Sequence, residues 1–340
     1  MSREFGVGIL GVGSQLPSVV DSNEALAGEL REGVGPDWIV EKTGILQRYL
    51  VGPGETASSL SAKAALKALA MAGVAPEQVD LIIACTATGD YAFPPLSAKI
   101  QQLIGAKHAQ VFDLQANCAG FVAGLTSASD RLFADESYRY ALVVGAEVLS
   151  PHVDRGDINT AVYISDGAGA AVLGKVDVGL GILRSRFFTD STNFDSVRLR
   201  AGGSAFPAQD LSARNVSPYV EMNGLATWKQ TTTHLPVTVR RAIEASGMQP
   251  KQVNLLLFHQ ANLNLIHYVV RKLGLGVEAT YTNVERIGNT GSASVAIVLD
   301  EAVRIGRLRE GMTLALGAVG AGFTFGANVW RWSLSAPEAA

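Results

Sequence analysis

The chain has 340 residues, is 48% hydrophobic, and carries a formal net charge of -3 at pH 7. Because this charge is small and no basic stretch is interleaved with aromatic residues, the composition excludes nucleic acid as an expected partner. Two cysteines exclude a disulfide framework, and without a CxxC pair or a His/Cys cluster we expect no metal site and a reducing, cytoplasmic environment.

The N-terminal segment is predicted to form a strand and then two helices. A short apolar run indicates a strand over residues 5–12, and further patterns indicate helices over residues 23–30 and from Pro36 to just before Gly44. No convincing helix follows the glycines of the strand, so a dinucleotide-binding fingerprint is not expected. The apolar run is too short to cross a membrane and lacks the layout of a signal peptide, which predicts a soluble, unprocessed protein.

The next part of the chain combines one candidate ligand site with ordinary core elements. Trp38 and Lys42 lie four residues apart and share a helix face, where an aromatic plane beside a cation could hold a nucleotide or phosphate. Most such pairs are surface packing. Downstream, Thr56 is predicted to cap a helix, and residues 81–85 are predicted to form a buried strand whose terminal cysteine fills space.

Cys118 is the candidate nucleophile. A β-prone run ends at Leu114, a polar turn follows, and small residues over 118–128 indicate a buried helix. At a helix start, unpaired amides and the macrodipole favour the thiolate, and small neighbours leave room for an acyl group. This arrangement is typical of covalent catalysis, and the alternative is a buried structural cysteine.

The chain contains an internal repeat. Residues 75–83 resemble residues 249–257, a similar helix precedes each copy, and the turn at 117–120 matches the turn at 289–292. Two similar α/β halves are expected to stack two sheets around shared central helices that begin at these turns. Each half would then supply one rim of a common cleft.

The repeat predicts that three residues converge. The strand over residues 255–258 ends at His259, and the turn that contains Asn289 stands where the nucleophile turn stands in the first half. Cys118, His259 and Asn289 should therefore meet in the cleft. Taken singly, His259 could be a satisfied core histidine and Asn289 a plain turn residue.

Six motifs, in order over essentially the whole chain, support one family resemblance. They are Trp38-Ile39-Val40-Glu41-Lys42-Thr43-Gly44-Ile45, Asn117-Cys118-Ala119-Gly120-Phe121, Asp166-Gly167-Ala168-Gly169-Ala170, His259-Gln260-Ala261-Asn262, Gly288-Asn289-Thr290-Gly291-Ser292-Ala293-Ser294 and Gly320-Ala321-Gly322-Phe323-Thr324. The sequence resembles the β-ketoacyl-acyl-carrier-protein synthase III family of the thiolase superfamily. The resemblance implies a homodimer with a five-layered αβαβα fold, in which residues 1–175 carry the cysteine and residues 176–340 carry the histidine and asparagine.

The resemblance also implies a two-step reaction. An acyl-CoA or carrier thioester acylates Cys118, and decarboxylative Claisen condensation with malonyl on acyl carrier protein follows, with no further cofactor. Backbone N–H groups of Cys118, Gly320 and Ala321 could bind the first oxyanion, and His259 and Asn289 could donate to the enolate. Thiolases and elongating synthases are excluded, because they need a second cysteine or histidine that this chain lacks at the matching places. Chalcone-synthase-like enzymes share the three residues but match the flanking motifs less well.

The residues expected to bind coenzyme A or the carrier depart from the family pattern. Trp38 matches the residue that stacks on adenine, but Lys42 and Ile158 each replace an arginine, which weakens planar stacking and bidentate phosphate recognition. The usual carrier-docking arginine is replaced by Asn264. The remaining candidates for coenzyme A or carrier binding are Asn262, Lys229, Arg271 and Lys272. Phe93 matches the residue that closes the acyl pocket of the second protomer, although it could be simple interface packing.

Three functions remain open after the sequence alone. The first is a condensing enzyme of fatty-acid initiation or of a specialised-metabolite pathway. The second is a related acyltransferase that passes the acyl group to an alcohol, an amine or a carrier thiol without decarboxylation. The third is a non-catalytic partner in a heterodimer. The intact set of cysteine, histidine and asparagine argues against the third, and the two enolate donors favour the first.

Overall fold

A computed structural model describes residues 4–212 and 214–334. The strands in this part of the chain are β1 (Gly6–Gln15), β2 (Val19–Ser22), β3 (Gln47–Leu50), β4 (Leu81–Cys85), β5 (Gln110–Leu114), β6 (Tyr140–Glu147), β7 (Gly167–Val176), β8 (Gly181–Thr189), β9 (Val197–Leu199), β10 (Val220–Met222), β11 (Leu255–Phe258), β12 (Thr313–Gly320) and β13 (Thr324–Arg331). The helices are α1 (Asn23–Ala27), α2 (Pro36–Thr43), α3 (Ala57–Ala72), α4 (Leu96–Ile104), α5 (Gly120–Ala134), α6 (Gly224–Ala245), α7 (Leu263–Lys272), α8 (Val284–Ile287) and α9 (Ser294–Arg304).

Two sheets and three helical layers form the body of the molecule. One sheet has the order β1-β7-β6-β4-β5 and the other has the order β11-β12-β13-β8. Helices α3 and α4 cover the outer face of the first sheet, α6 and α7 cover the outer face of the second, and α5 and α9 lie between the sheets. The predicted five-layered αβαβα order is confirmed. The chain passes from the first sheet to the second between β7 and β8, next to the predicted division at residues 175 and 176.

Two of the candidate site residues, Cys118 and His259, follow the carboxyl ends of parallel strands. Strand β4 is parallel to both β5 and β6, and β11 is parallel to β12. The nucleophile turn follows β5, and His259 follows β11. Ligands of α/β sheets usually bind at such strand ends.

Small residues let the central helices approach both sheets closely. A Cβ atom added to Gly124 would lie 2.5 Å from the sulfur of Cys85, so Cys85 fills the space against α5, as predicted. At Gly169 an added Cβ would lie 2.5 Å from the Cβ of Ala296 on α9. Larger side chains at these glycines would push the layers apart.

Several element boundaries differ from the prediction. Strand β1 continues through Gly13, because α3 packs directly on its backbone and an added Cβ there would lie 2.5 Å from the carbonyl oxygen of Ala64. Helix α1 is shorter than predicted and α5 is longer. Thr56 caps α3 as predicted, since its side chain accepts the N–H of Ser59. In the described ranges no helix is both long and apolar enough to span a bilayer.

Candidate active site

Cys118 lies in a 3₁₀ turn, Asn117–Ala119, immediately before α5. The backbone of Asn117 is left-handed (φ 47°), and its side-chain amide donates to the carbonyl oxygen of Ala321 at 2.9 Å. Helix α5 begins at Gly120, two residues after the cysteine, and not at the cysteine itself. The hydrogen bond from Asn117 joins the nucleophile turn to the glycine-rich loop after β12.

The loop after β12 packs tightly against the nucleophile turn. A Cβ atom added to Gly320 would lie 2.1 Å from the carbonyl oxygen of Ala116 and 3.1 Å from the backbone nitrogen of Cys118. Only glycine fits there. This proximity is consistent with a shared oxyanion site of Cys118, Gly320 and Ala321, whose roles remain a prediction.

His259 is held by backbone and side-chain hydrogen bonds. Its N–H donates to the carbonyl oxygen of Gly317 at 2.9 Å, and its Nδ1 lies 2.6 Å from Oγ of Ser294. The same Oγ accepts the N–H of Gln260 at 3.3 Å. We assign the Ser294 hydroxyl proton to the bond with Nδ1, because this satisfies all three polar groups. The proton of the neutral imidazole then lies on Nε2.

Asn289 is fixed in a turn between the two halves. Its N–H donates to the carbonyl oxygen of Tyr163 at 2.9 Å, and its Oδ1 accepts the N–H of Gly291 at 3.0 Å. Because Oδ1 is engaged by the backbone, Nδ2 is the part of the amide that can donate to a substrate. Both His259 and Asn289 thus present an N–H group without a net charge.

One cavity of about 880 Å³ joins the three residues. Cys118, His259 and Asn289 all line it. Its apolar walls include Leu149, Ile164, Val197, Leu199, Val220, Met222, Leu235, Phe258, Ile266, Val269, Val319 and Phe323. This volume accommodates a substrate well beyond a two-carbon acyl group.

Glu147, at the end of β6, is a cavity residue that the sequence analysis missed. It is 2% exposed, and its carboxylate accepts the hydroxyl of Thr88 at 2.5 Å and the N–H of Ala87 at 3.2 Å. Burial raises the pKa of Glu147 to about 7. An acid at the end of an otherwise apolar strand was the available signal, because such ends face a shared edge of the sheet.

Burial also determines the charges of the thiol and the imidazole. Burial, and then the carboxylate of Glu147, raise the pKa of Cys118 to about 12, which outweighs the lowering by its own backbone N–H. The predicted stabilisation of a thiolate by the helix start is therefore wrong, and the thiol is the resting form at neutral pH. Burial lowers the pKa of His259 to about 4, so its ring is neutral.

The residues predicted to hold a coenzyme A nucleotide are not part of the cavity lining. Trp38 and Ile158 are half-buried and pack against one apolar cluster, and Nζ of Lys42 pairs with Glu41 at 2.7 Å. Trp38, Lys42 and Ile158 are absent from the set of described residues that line the cavity. The side chain of Asn264 donates to the carbonyl oxygen of Glu41 at 3.0 Å, so it ties α7 to α2.

The predicted basic residues form an exposed surface on α6 and α7. Lys229, Arg271 and Lys272 are all exposed, and Nζ of Lys272 lies 5.3 Å from the ring centre of Tyr268. The ring of Tyr268 contacts the ring of Trp228, a residue that lines the cavity. We call Lys229, Arg271 and Lys272 the basic surface. It is linked to the cavity lining through Tyr268 and Trp228.

Phe93 stands on the loop between β4 and α4. Its side chain is 84% exposed, whereas the neighbouring Ala92 lines the cavity. An exposed phenylalanine beside a cavity is compatible with insertion into a second protomer. That role stays a prediction.

Comparisons with known proteins place the chain in a family. The family model of 3-oxoacyl-[acyl-carrier-protein (ACP)] synthase III matches residues 112–191, and the model of its C-terminal part matches residues 243–332. A β-ketoacyl-ACP synthase III from Caldanaerobacter subterraneus subsp. tengcongensis is 36% identical over 333 residues, covering 98% of this chain and 100% of the relative.

Solved structures agree with the sequence matches. The 3-oxoacyl-ACP synthase III from Pseudomonas aeruginosa PAO1 has a TM-score of 0.89 at 34% identity, covering 98% of this chain and 100% of that one. The priming β-ketosynthase from the R1128 polyketide pathway has a TM-score of 0.91 at 31% identity, covering 99% of each. The fold and the similarities define a thiolase-like condensing enzyme of the acyltransferase class. The chain belongs to the 3-oxoacyl-ACP synthase III family.

Proposed function

We propose that the enzyme joins an acyl group held on Cys118 to a malonyl group carried by acyl carrier protein. The observation that carries this proposal is the convergence of one thiol and two neutral N–H donors, from His259 and Asn289, on a single cavity. A thiol suits acyl transfer, and uncharged donors suit an enolate that forms as CO₂ departs.

In the first half-reaction, the sulfur of Cys118 attacks the carbonyl carbon of an acyl thioester. Backbone N–H groups of Cys118, Gly320 and Ala321 stabilise the oxyanion until the bond to the donor thiol breaks. Because the pKa of Cys118 is about 12, proton loss accompanies the attack. The departing thiolate regains one proton, so the half-reaction is balanced.

In the second half-reaction, the carbon–carbon bond to the malonyl carboxylate breaks and its electron pair forms an enolate. Nε2–H of His259 and Nδ2–H of Asn289 donate to the enolate oxygen. The enolate carbon then attacks the acyl carbonyl carbon on Cys118. As the new carbon–carbon bond forms, the carbon–sulfur bond breaks, and the cysteine sulfur takes up one proton.

Acyl carrier protein, acyl-CoA and a second copy of the chain are the proposed partners. The basic surface supports an acidic carrier, and the exposed Phe93 supports a homodimer in which it closes the other protomer's acyl pocket. We expect the enzyme to act in the cytoplasm, in fatty-acid initiation or a specialised-metabolite pathway.

Intact-protein mass spectrometry tests the proposal. The enzyme is mixed with a panel of acyl-CoA and acyl-carrier thioesters, and malonyl carrier is then added. We expect an acyl increment on the enzyme and then a 3-oxoacyl group on the carrier, with loss of CO₂. Transfer of the acyl group to an alcohol, amine or carrier thiol, with the malonyl carboxylate intact, would instead establish the non-condensing alternative.

A further inference from the structure

Asn117 is a cavity residue to which the reaction described above gives no role. It directly precedes the nucleophile, and its backbone is left-handed (φ 47°), a conformation that asparagine adopts more readily than most other residues. Its side-chain amide donates to the carbonyl oxygen of Ala321 at 2.9 Å. The residue that shapes the nucleophile turn therefore also contacts the glycine-rich loop after β12.

The position of Ala321 in that loop depends on Asn117. The ladder of β12 and β13 holds both ends of the loop, and Phe323 exchanges two backbone hydrogen bonds with Asp190, at 2.8 and 2.9 Å. Ala321 takes no part in these contacts. In the described part of the chain, the bond from Asn117 is the single hydrogen bond of the Ala321 backbone. Without it, the peptide groups on either side of Ala321 would be free to turn.

The backbone N–H of Ala321 is unpaired. Among residues 4–212 and 214–334 it donates to no backbone or side-chain acceptor, and Ala321 lines the cavity together with Cys118. An unpaired N–H beside the nucleophile turn suits an oxyanion, which forms when the acyl carbonyl is attacked. Such a donor stabilises the oxyanion most when its direction is fixed before the reaction. Asn117 holds the carbonyl end of the same residue.

We propose that Asn117 is a positioning residue that holds Ala321 so that its N–H donates to the oxyanion formed at Cys118. Both half-reactions need this donor, because each passes through a tetrahedral oxyanion at the acyl carbonyl carbon. Decarboxylation of malonyl forms its enolate at His259 and Asn289 and does not need Asn117. This inference deepens the proposed function and rests on it, because it requires an acyl thioester at Cys118.

Asn117→Gly tests the inference, because glycine keeps the left-handed backbone and removes the amide. With the thioester that wild type accepts best, we expect the rate of self-acylation to fall about 10-fold. Release of CO₂ from malonyl carrier without an acyl donor should stay at the wild-type rate. Asn215→Gly is the matched control, because Asn215 is also left-handed (φ 51°) but is exposed and lies outside the cavity lining of the described residues.

Alkylation of Cys118 by iodoacetamide, followed by peptide mass spectrometry, gives a second measurement. The sulfur displaces iodide without forming an oxyanion, so Asn117→Gly should be alkylated at the wild-type rate. Equal losses of acylation and alkylation would show that Asn117 acts on the sulfur, and unchanged acylation would show that its bond to Ala321 contributes nothing. Either result overturns the inference. Wild-type protein that is alkylated but is acylated by no thioester would instead overturn the proposed function.

An amide-to-ester replacement separates positioning from direct contact with the substrate. An α-hydroxy acid in place of Ala321 removes the N–H and keeps the side chain, and it should lower self-acylation by about 10²–10³. Adding Asn117→Gly to this protein should cause little further loss, since Asn117 acts through that N–H. A full additional loss of about 10-fold would mean that Asn117 contacts the substrate itself, which overturns the inference.

If Asn117→Gly does not fold, Asn117→Asp takes its place. The carboxylate keeps the shape of the side chain but has no N–H for the carbonyl oxygen of Ala321. Its charge also disfavours the thiolate, so alkylation should slow as well. Acylation should nevertheless fall by a larger factor than alkylation, and equal factors would overturn the inference.

Discussion

Each half of the fold has two positions near the site: the segment after a parallel strand, and the turn before its central helix. The two halves use these positions differently. In the first half, the 3₁₀ turn before the central helix carries Cys118, and the loop after β4 carries Ala87 and Thr88, which donate hydrogen bonds to Glu147 at the end of β6. In the second half, the end of β11 carries His259, and the turn before the central helix follows Asn289. Each half therefore offers the same two positions, and the chemistry differs because the side chains and their burial differ.

The sharpest contrast is between the two cysteines, because both adjoin α5 but only Cys118 lines the cavity. We expect Cys118→Ala to lose the acyl mass increment completely. Cys85→Ala is the matched control and should keep it, at a stability cost of about 1 kcal/mol for the lost packing against Gly124. Intact-protein mass spectrometry after incubation with donor measures the first effect, and thermal unfolding measures the second. An increment that persisted in Cys118→Ala would assign the nucleophile to another residue.

The second contrast separates the nucleophile of one half from the donors of the other. His259→Ala and Asn289→Ala should each lower condensation by about 10²–10³, because each removes one donor to the enolate oxygen. Self-acylation should be substantially retained, since the oxyanion of that step is held by backbone groups. Single-turnover acylation and release of CO₂ from malonyl carrier distinguish the two steps. Variants that acylated poorly but decarboxylated normally would reverse the assigned roles.

The third prediction concerns the buried acid of the first half. The pKa of Glu147 in the folded chain is about 7, above its ordinary value of about 4.3, so the folded state binds this proton more tightly than the unfolded state. The contribution of Glu147 to stability is therefore fully present below about pH 4 and is lost as pH rises to about 7, by up to about 1.4 kcal/mol per pH unit. Glu147→Gln should remove this contribution from the pH dependence of stability.

Urea unfolding of both proteins between pH 4 and pH 8 measures this pH dependence. Glu77→Gln is a suitable control, because Glu77 is exposed. Parallel stability curves for wild type and Glu147→Gln would show that Glu147 is not the group that titrates.

Much of the fold could be predicted because local signals agree with the tertiary structure. Helix α3 matches its prediction closely, since Thr56 caps its start and Gly73 ends it in a left-handed conformation (φ 63°). The length of β1 could not be predicted in the same way. Its glycines suggest a turn when the sequence is considered alone, but they are needed because α3 packs on the strand.

The identities of the site residues Cys118 and His259 could be predicted, because the repeat and the motifs single them out in the sequence. Their protonation states could not, because these depend on burial and on contacts with residues distant in sequence. The protonation of Cys118 depends on desolvation and on Glu147, which a local argument from the helix start omits. The tautomer of His259 depends on Ser294, 35 residues away.

The last prediction compares the basic surface with the predicted nucleotide site, and its expected effect is the smallest. The basic surface is exposed, whereas Lys42 is paired with Glu41 and Ile158 packs against the same apolar cluster as Trp38. An acidic acyl carrier would be attracted to such a surface over long range, and salt would screen the attraction. We therefore expect Cys118 to be acylated a few-fold faster by a carrier-bound acyl group than by the matched coenzyme A ester.

This preference should shrink as salt rises from tens to hundreds of millimolar, and Arg271→Glu combined with Lys272→Glu should abolish it. Ile158→Arg is the complementary change. It introduces a guanidinium at the apolar cluster that Trp38 also packs against, and it should improve use of the coenzyme A ester while leaving the carrier rate unchanged. Quenched acylation reactions of the three proteins with each of the two donors, analysed by mass spectrometry at several salt concentrations, give the rates. A wild-type preference for the coenzyme A ester, unaffected by the charge reversals, would mean that the nucleotide site works despite its substitutions, and that the basic surface contributes nothing to the choice of donor.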